Sequence, residues 1–398
     1  MVIPGNILYA LSALTKKGYE AYLVGGCVRD MIMGKTPSDF DITTNALPEE
    51  IINCFPDKKC VLSGMKHGTV APIIKGEAIE ITTYRIDGEY KDSRHPEEVY
   101  FTKKIEEDLS RRDFTVNAMA MDESFNITDP FSGKADIENG IIRCVGDAEK
   151  RFTEDALRIM RALRFSSVLG FSIEEETKKG ISKLFPLLSN IARERIFTEL
   201  KKLLAGTDAP CILAEFKDVF LFIMPHLENV AEEKYIDNVK RIKGCDTAIS
   251  FAILFDGLIT DDARAVLNSL KTDRLLKDTV IRLMEDKNAD FSDIVKMRYF
   301  LKTRNFEDVS RLISFKEALG LMTENEAKAS LELLEKTSSS CTKIKELAVS
   351  GSDLLSLGIS GRKTGEILDA LLNLVIEEKC ENGKDALINA AKSLGDKC

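Results

Sequence analysis

The chain has 398 residues, 44% hydrophobic and 30% charged, with a formal charge of −9, which exceeds one comfortable core and predicts two or more domains that fold without staples. Its nine cysteines form no Cys-x-x-Cys pair and there are only three histidines, which excludes a structural zinc site of recognised spacing and leaves the cysteines as reduced, small apolar fillers. No apolar run approaches the roughly 18 residues of a membrane helix, and Met1-Val2-Ile3-Pro4-Gly5 lacks the basic and apolar regions of a signal peptide, so a cytoplasmic location is expected.

Residues 1–145 mix short β-like runs, at Ala21–Val24, Phe40–Thr43, Thr69–Ile74 and Ala78–Thr83, with helical stretches and many glycines. This predicts an α/β or α+β head. From Thr153 onward the pattern is helical almost without interruption, so the remainder is expected to be all-α. Turn-rich breaks at Gly206–Pro210 and Thr337–Ser340 divide it, giving expected segments 1–145, 146–205, 206–336 and 337–398.

In the head, Gly25-Gly26 follows an apolar run and precedes a helix expected to start near Val28. Two readings fit this pair: a tight turn, or a backbone that approaches a phosphate closely, aided by the helix N-terminus and by Arg29. It is not the dinucleotide fingerprint, which needs a third spaced glycine in a βαβ unit.

Ser38-Asp39-Phe40-Asp41-Ile42 sets two carboxylates on one face of a strand, about 6.6 Å apart, with Phe40 and Ile42 on the other. At an effective dielectric near 20, two such charges repel by about 3 kcal/mol, which divalent cations would relieve. Hard oxygen ligands favour Mg²⁺ or Mn²⁺. Glu80, in the alternating run Glu80–Arg85, either completes this site from a neighbouring strand or faces solvent. Three carboxylates around paired cations would form a clamp for in-line attack at phosphorus.

Further on, Arg111-Arg112 precedes Asp113–Ala120, read as a compact, mostly apolar helical run that sets a guanidinium over a triphosphate. Between Lys150 and Lys202 there are 12 basic against 7 acidic residues, so a basic stretch lies within an acidic chain. That pattern fits either a polyanion-binding face or a solvated helix. Within it, Thr153 is the expected N-cap of a helix that carries Asp155, Arg158 and Arg161 on one face at three-residue steps, with Arg164 half a turn away. A carboxylate beside a guanidinium accepts from an exocyclic amine and donates to a ring acceptor, the edge shared by cytosine and adenine. Guanine and uracil present the reverse order and are rejected.

Taken in order, Gly25-Gly26-Cys27-Val28-Arg29-Asp30, Asp39-Phe40-Asp41, Arg111–Ala118, Asp129-Pro130 with Gly133, and Glu154–Arg158 with Arg161 and Arg164 have the spacing of class II tRNA nucleotidyltransferases. The chain resembles that family, the CCA-adding enzymes, over residues 20–170 most strongly. The resemblance implies an α+β fold class: a polymerase-β-like head with a mixed sheet, followed by an all-α neck, body and tail. It implies that Asp39 and Asp41 bind Mg²⁺ with Glu80 as third carboxylate, and that Gly26, Arg29 and Arg112 hold the triphosphate. By the same resemblance Asp155 and Arg158 read the incoming base, with Arg161 and Arg164 assisting at phosphates or neighbouring nucleotides. The expected reaction is addition of CCA to the tRNA 3′ end from CTP and ATP, the helical remainder gripping the acceptor stem and TΨC arm.

Arg85–Pro96 looks like the flexible loop that CC-only members shorten, and Ser63–Val70 resembles the tRNA branch and lacks the basic run of bacterial poly(A) polymerases. No His-Asp dipeptide occurs, so the phosphohydrolase domain of some relatives is not expected. Full CCA addition is favoured over the rival reading, an A-only enzyme working beside a CC-adding partner. In the tail, Gly358–Gly365 resembles the family's glycine-rich helix turn, with Arg362 where many members have proline; a structural turn is the favoured reading.

Overall fold

A computed structural model describes residues 2–88 and 99–395. These form two compact units, Met1–Pro225 with Asn268–Thr272, and His226–Leu267 with Asp273–Cys398. The boundary expected between residues 205 and 206 therefore falls inside the first unit.

The first unit opens with helix α1 (Gly5–Thr15), whose buried Ile7, Ala10, Leu11 and Leu14 recur at helical spacing on one face. Strand β1 (Ala21–Val24), helix α2 (Gly26–Ile32), strand β2 (Asp41–Thr44) and helix α3 (Pro48–Cys54) follow, then β3 (Cys60–Val61), β4 (Thr69–Ile74), β5 (Glu77–Ala78) and β6 (Ile81–Thr83). The expected single strand over Ala78–Thr83 is two strands. The break lies at Ile79–Glu80, where the Ile79 amide still bonds the Pro72 carbonyl and the Glu80 carbonyl accepts from Ile42, so the chain changes neighbour. Strands β7 (Arg85–Asp87) and β8 (Val99–Phe101) pair antiparallel. The loop expected at Arg85–Pro96 lies, from residue 89 on, outside the described residues.

After α4 (Ile105–Ser110) the chain makes only a 3₁₀ turn at Thr115–Asn117, where sequence predicted a longer helical run. Tertiary partners take its backbone groups: the Thr115 amide bonds Arg143 and the Val145 amide bonds Asp113. Strands β9 (Ala120–Met121) and β10 (Ile127–Thr128) and helix α5 (Gly133–Asn139) complete the head. The sheet order is β10-β9-β1-β2-β6-β4-β3, with β5 on β4. β1 and β2 are antiparallel, β2 and β6 parallel, a mixed sheet as expected. Leu23, Ile42, Val70 and Ile81 on one side pack with α1 and α3 into the main core, while Val24, Tyr84, Ile105 and Leu109 form a smaller cluster on the other.

A short parallel pair, β11 (Ile141–Ile142) and β12 (Ser172–Ile173), leads into helices α6 (Ala148–Glu154), α7 (Leu157–Leu169), α8 (Glu175–Leu184), α9 (Arg193–Leu204), α10 (Ala209–Glu215) and α11 (Lys217–Ile223). The second unit is helical. In its Thr247–Leu254 helix every residue after Thr247 is buried, as an all-round apolar helix at the centre of a bundle must be. Its last helices close on Leu354, Ile367, Leu371, Ile376 and Leu387. Gly361 precedes the helix Arg362–Ile376, and Arg362, almost wholly exposed, pairs with Glu366 at 3.0 Å, so the Gly358–Gly365 stretch is a helix-starting turn. Among the described residues no helix is long and apolar enough to cross a membrane.

Gly133 shows how tightly the head packs. A Cβ there would lie 2.1 Å from the Thr115 carbonyl oxygen, and Asp129 accepts from the amides of Gly133 and Lys134 at 2.7 and 2.9 Å, capping α5 against the 3₁₀ turn. Gly133→Ala is expected to cost about 1–3 kcal/mol by overpacking, read as a lower urea midpoint; an unchanged midpoint would contradict this contact.

Candidate active site

The strand order decides which residues meet at one end of the sheet. Val24 pairs with Asp41 across the antiparallel β1–β2 ladder, and Ile42 pairs with Ile81 across the parallel β2–β6 ladder. The end of β1, the start of β2 and the start of β6 therefore lie side by side, carrying Gly25, Asp41 and Glu80. Neighbouring strands are about 4.8 Å apart, and residues level in a parallel pair point to the same face. Ile42 is buried and Phe40 packs on the core, which turns Asp39 and Asp41 away from it. All three carboxylate residues are exposed.

Asp39 precedes the strand, so no ladder bond fixes it, and Ser38 donates to its carboxylate at 3.1 Å. Among the described residues no three Asp, Glu, His or Cys side chains gather closely enough to hold a metal ion. Asp39 and Asp41 stand as the pair, with Glu80 beside them in register. Loss of hydration raises the Asp41 pKa above the usual carboxylate range; Arg112 draws it down and Asp39 pushes it further up. A hard oxygen pair burdened by its own repulsion suits a divalent cation.

The glycine turn sits against this pair. Gly25 has φ 77° and ψ −136°, a conformation open to glycine, and a Cβ there would come 3.2 Å from Arg112 Nη1 and 4.0 Å from Asp41 Oδ2. Arg112 Nη2 donates to buried Asp108 at 3.3 Å, while its Nε is buried with no hydrogen-bond partner among the described residues. A guanidinium Nη1 set against a glycine turn is an anion-seeking arrangement.

Arg29 differs. It is buried, with Nε and Nη2 donating to Asp30 at 2.9 and 2.7 Å and Nη1 to Asn117 at 2.8 Å. Its named bonds all go to protein, so it braces the turn from beneath. Asn117 donates in turn to Asp113, and Asp113 accepts from Arg161 at 2.6 Å. Burial opposes ionisation of Asp113, but Arg161, with help from Arg158, holds its pKa below the usual range. A continuous polar chain thus runs from α2 through the 3₁₀ turn to α7. The Phe165 ring lies beneath three guanidiniums, with those of Arg164, Arg29 and Arg161 at 3.7, 5.2 and 5.4 Å from its centroid.

The helix expected from Thr153 is broken. Thr153 lies inside α6 and donates to the Glu149 carbonyl, while Asp147 caps α6 by accepting from Lys150. Asp155, in extended backbone, forms the joint between α6 and α7 and accepts from the Leu157 amide at 3.0 Å. It does not share a continuous helical face with Arg158 and Arg161, because its carboxylate replaces a helical carbonyl at the start of α7. Arg158 Nη1 donates to Glu154 at 2.8 Å and Nη2 to the Arg111 carbonyl at 3.1 Å, one residue from Arg112. Arg164 pairs with Glu199 at 2.5 Å.

Several residues at this site had no individual role assigned from sequence. Arg195, on α9, approaches Asp155 at 3.4 Å, and its Nη1 is buried with no hydrogen-bond partner among the described residues. Asn117, Asp113 and Phe165 were likewise read as parts of an apolar run or of a helix. Only the packing of α9 on α7, and of α7 on the 3₁₀ turn, brings them in.

Comparison with known proteins agrees with this architecture. Residues 21–143 match the model of the "Poly A polymerase head domain", residues 170–228 that of the "Probable RNA and SrmB- binding site of polymerase A", and residues 246–391 a "tRNA nucleotidyltransferase domain 2". The CCA-adding enzyme of Leuconostoc mesenteroides is 37% identical, covering 98% of this chain and 97% of its own. That of Geobacillus kaustophilus is 37% identical over 94% of this chain and 93% of its own. The crystal structure of the Bacillus stearothermophilus CCA-adding enzyme in complex with CTP aligns with TM-score 0.82 and 32% identity, covering 99% of both chains. A Thermotoga maritima CCA-adding enzyme complexed with tRNA shares the fold, at TM-score 0.70 and 20% identity. With the sheet end, the glycine turn and the α6–α7 joint in one unit, and relatives alike along nearly their whole length, the chain belongs to the bacterial CCA-adding enzymes, nucleotidyltransferases of the polymerase-β-like superfamily that depend on divalent metal.

Proposed function

We propose that this chain adds C, C and A to the 3′ end of tRNA from CTP and ATP without a template, releasing pyrophosphate. The observation that carries the reading is the alignment of Gly25, Asp41 and Glu80 at adjacent strand ends with the Arg112 guanidinium beside Gly25 and Asp41, in a chain 37% identical to CCA-adding enzymes over nearly its full length. The tRNA 3′ oxygen bonds to the α-phosphorus as the bond to pyrophosphate breaks. Asp39 and Asp41 would hold Mg²⁺, with Glu80 on the neighbouring strand level with Asp41. When bound, the cation supplies activation of the attacking hydroxyl and neutralises charge on the leaving group.

Arg112 and the Gly25-Gly26 backbone take the triphosphate, and Arg29 holds that turn in place through Asp30 and Asn117. Asp155 and Arg158 read the Watson–Crick edge, their complement being an amine beside a ring acceptor. Arg161 and Arg164 set the position of α7 through Asp113 and Glu199. In this reading residues 1–145 supply the chemistry and 146–205 the base choice, while 206–336 and 337–398 hold the acceptor stem and TΨC arm. A cytoplasmic location accompanies that substrate.

Asp39→Ala and Asp41→Ala are expected to lower incorporation by at least about 10³-fold with tRNA binding retained; near-normal turnover in either would overturn the metal assignment. The assay uses tRNA ending before CCA with each nucleotide alone, and failure to use CTP would identify an A-only enzyme. Asp155→Ala should raise misincorporation of UTP and GTP more than it raises the KM for CTP, so unchanged exclusion of both would remove the base-reading role.

The raised Asp41 pKa has a sign. A carboxyl whose pKa is raised by folding favours the native state when protonated, and that stability is lost as pH rises through the folded value. Mg²⁺ competes with the same proton. The rise in Tm on adding Mg²⁺ should therefore grow with pH through the carboxylate range and level off above it; a Mg²⁺ effect independent of pH across that range would contradict the pairing.

A further inference from the structure

One buried carboxylate outside the metal-seeking pair touches both halves of the site. Asp108 lies on α4, on the face that also buries Ile105 and Leu109, and no part of it reaches solvent. Arg111 and Arg112 follow it by three and four residues, the separations at which helical side chains meet. Arg111 donates to Asp108 Oδ1 through Nε at 3.0 Å and Nη2 at 2.8 Å, and the amide of Arg85, the first residue of β7, donates to the same oxygen at 3.3 Å. Oδ2 accepts from Arg112 Nη2 at 3.3 Å. Burial alone would push the Asp108 pKa up, but the two guanidiniums hold it below the usual carboxylate range, so the charge that orders them is present near neutral pH.

Each arginine leads to a different part of the site. A guanidinium is planar, so holding Arg112 by Nη2 also aims its Nη1, which stands 3.2 Å from the Cβ position of Gly25 at the phosphate-seeking turn. Arg111 turns its side chain back to Asp108, while its carbonyl accepts from Arg158 Nη2 at 3.1 Å. Clamping that side chain steadies the carbonyl to which Arg158 is bonded. Asp108 thus heads two short chains, and without its charge two adjacent cations would repel each other in a mostly buried space.

We propose that Asp108 is a positioning residue for nucleotide selection: its one carboxylate sets Arg112 for the triphosphate directly, and Arg158 for the base through Arg111. The inference rests on the function proposed above and adds to it the group that keeps the two recognition elements in register.

Asp108→Asn keeps the shape of the side chain and removes its charge. It should raise the KM for CTP and for ATP about tenfold, the scale of a lost charge-assisted hydrogen bond, raise UTP incorporation relative to CTP, and leave the KM for tRNA lacking CCA unchanged. A merely structural loss lowers the active fraction, and with it kcat, but moves neither nucleotide KM nor base choice, so unchanged KM values for both nucleotides would overturn the proposal. A double-mutant cycle tests the direct arm: in an Arg112→Ala background, Asp108→Asn should raise the KM for CTP by less than about twofold further, because the group it positions is gone. Additive effects would overturn that arm. Arg111→Lys leaves Asp108 in place but loses the two-bond fork, and should raise UTP incorporation relative to CTP about threefold with little change in the KM for CTP. Unchanged base choice in that variant would overturn the arm to Arg158, and it decides the matter even where Asp108→Asn does not fold. Wild-type incorporation of CTP into the same tRNA separates the two levels: if it fails, the function is wrong, and if it proceeds while Asp108→Asn keeps wild-type KM values, the positioning role alone is wrong.

Discussion

The ion pair between half-buried Arg161 and buried Asp113 is the constraint on which the rest of the site depends. Asp113 is 8% exposed and accepts from Arg161, from Asn117 and from the Phe114 amide. A carboxylate so enclosed is tolerable only when its lone pairs are filled, and removing one partner of such a pair typically costs about 3–5 kcal/mol because a buried charge is left behind. The pair joins two pieces of chain with different tasks. On one side, Asn117 carries the contact to Arg29 beneath the glycine turn; on the other, Arg161 belongs to α7, whose Arg158 bonds the Arg111 carbonyl.

That arrangement gives the two halves of the chemistry a common reference. The carboxylates and the glycine turn are set by β-ladder register, which cannot slip by one residue without turning Ile42 and Ile81 out of the core. The groups proposed to select the base, Asp155 and Arg158, are set by helix packing, which is independent of that register. Asp113, Asn117, Arg29 and Phe165 couple them with bonds under 3.5 Å and a shared aromatic face. Pre-existing partners take most donors: among the described residues, Arg112 Nε and Arg195 Nη1 are guanidinium atoms of this site that are buried without a hydrogen-bond partner. Both lie beside an acid already argued to matter, Arg112 by Asp41 and Arg195 by Asp155.

The sheet order also explains how one end of a small head gathers groups from distant segments. Its order, β1-β2-β6, sets the glycine turn, Asp41 and Glu80 in a row. A purely antiparallel meander would return each strand beside its predecessor. The parallel β2–β6 step brings two strand starts together instead.

Sequence alone determined the fold class, the change from a mixed head to a helical remainder, and the acidic and glycine motifs, because short-range patterning sets strand faces, turns and amphipathic helices. Asp39 and Asp41 were legible from their two-residue spacing, and Gly25 from the turn it must make. The break at Asp155, the 3₁₀ turn at Thr115–Asn117 and the split of Ala78–Thr83 into two strands were not: Asp155 caps the Leu157 amide and meets Arg195 40 residues on, while the Arg143 carbonyl, 28 residues from Thr115, and the Ile42 amide, 38 residues from Glu80, outbid the local preference at the other two. Only the tertiary structure decided that Arg29 is tied to Asn117, that Arg161 belongs to Asp113, and that Glu80 stands beside Asp41, because each depends on which distant segments pack together.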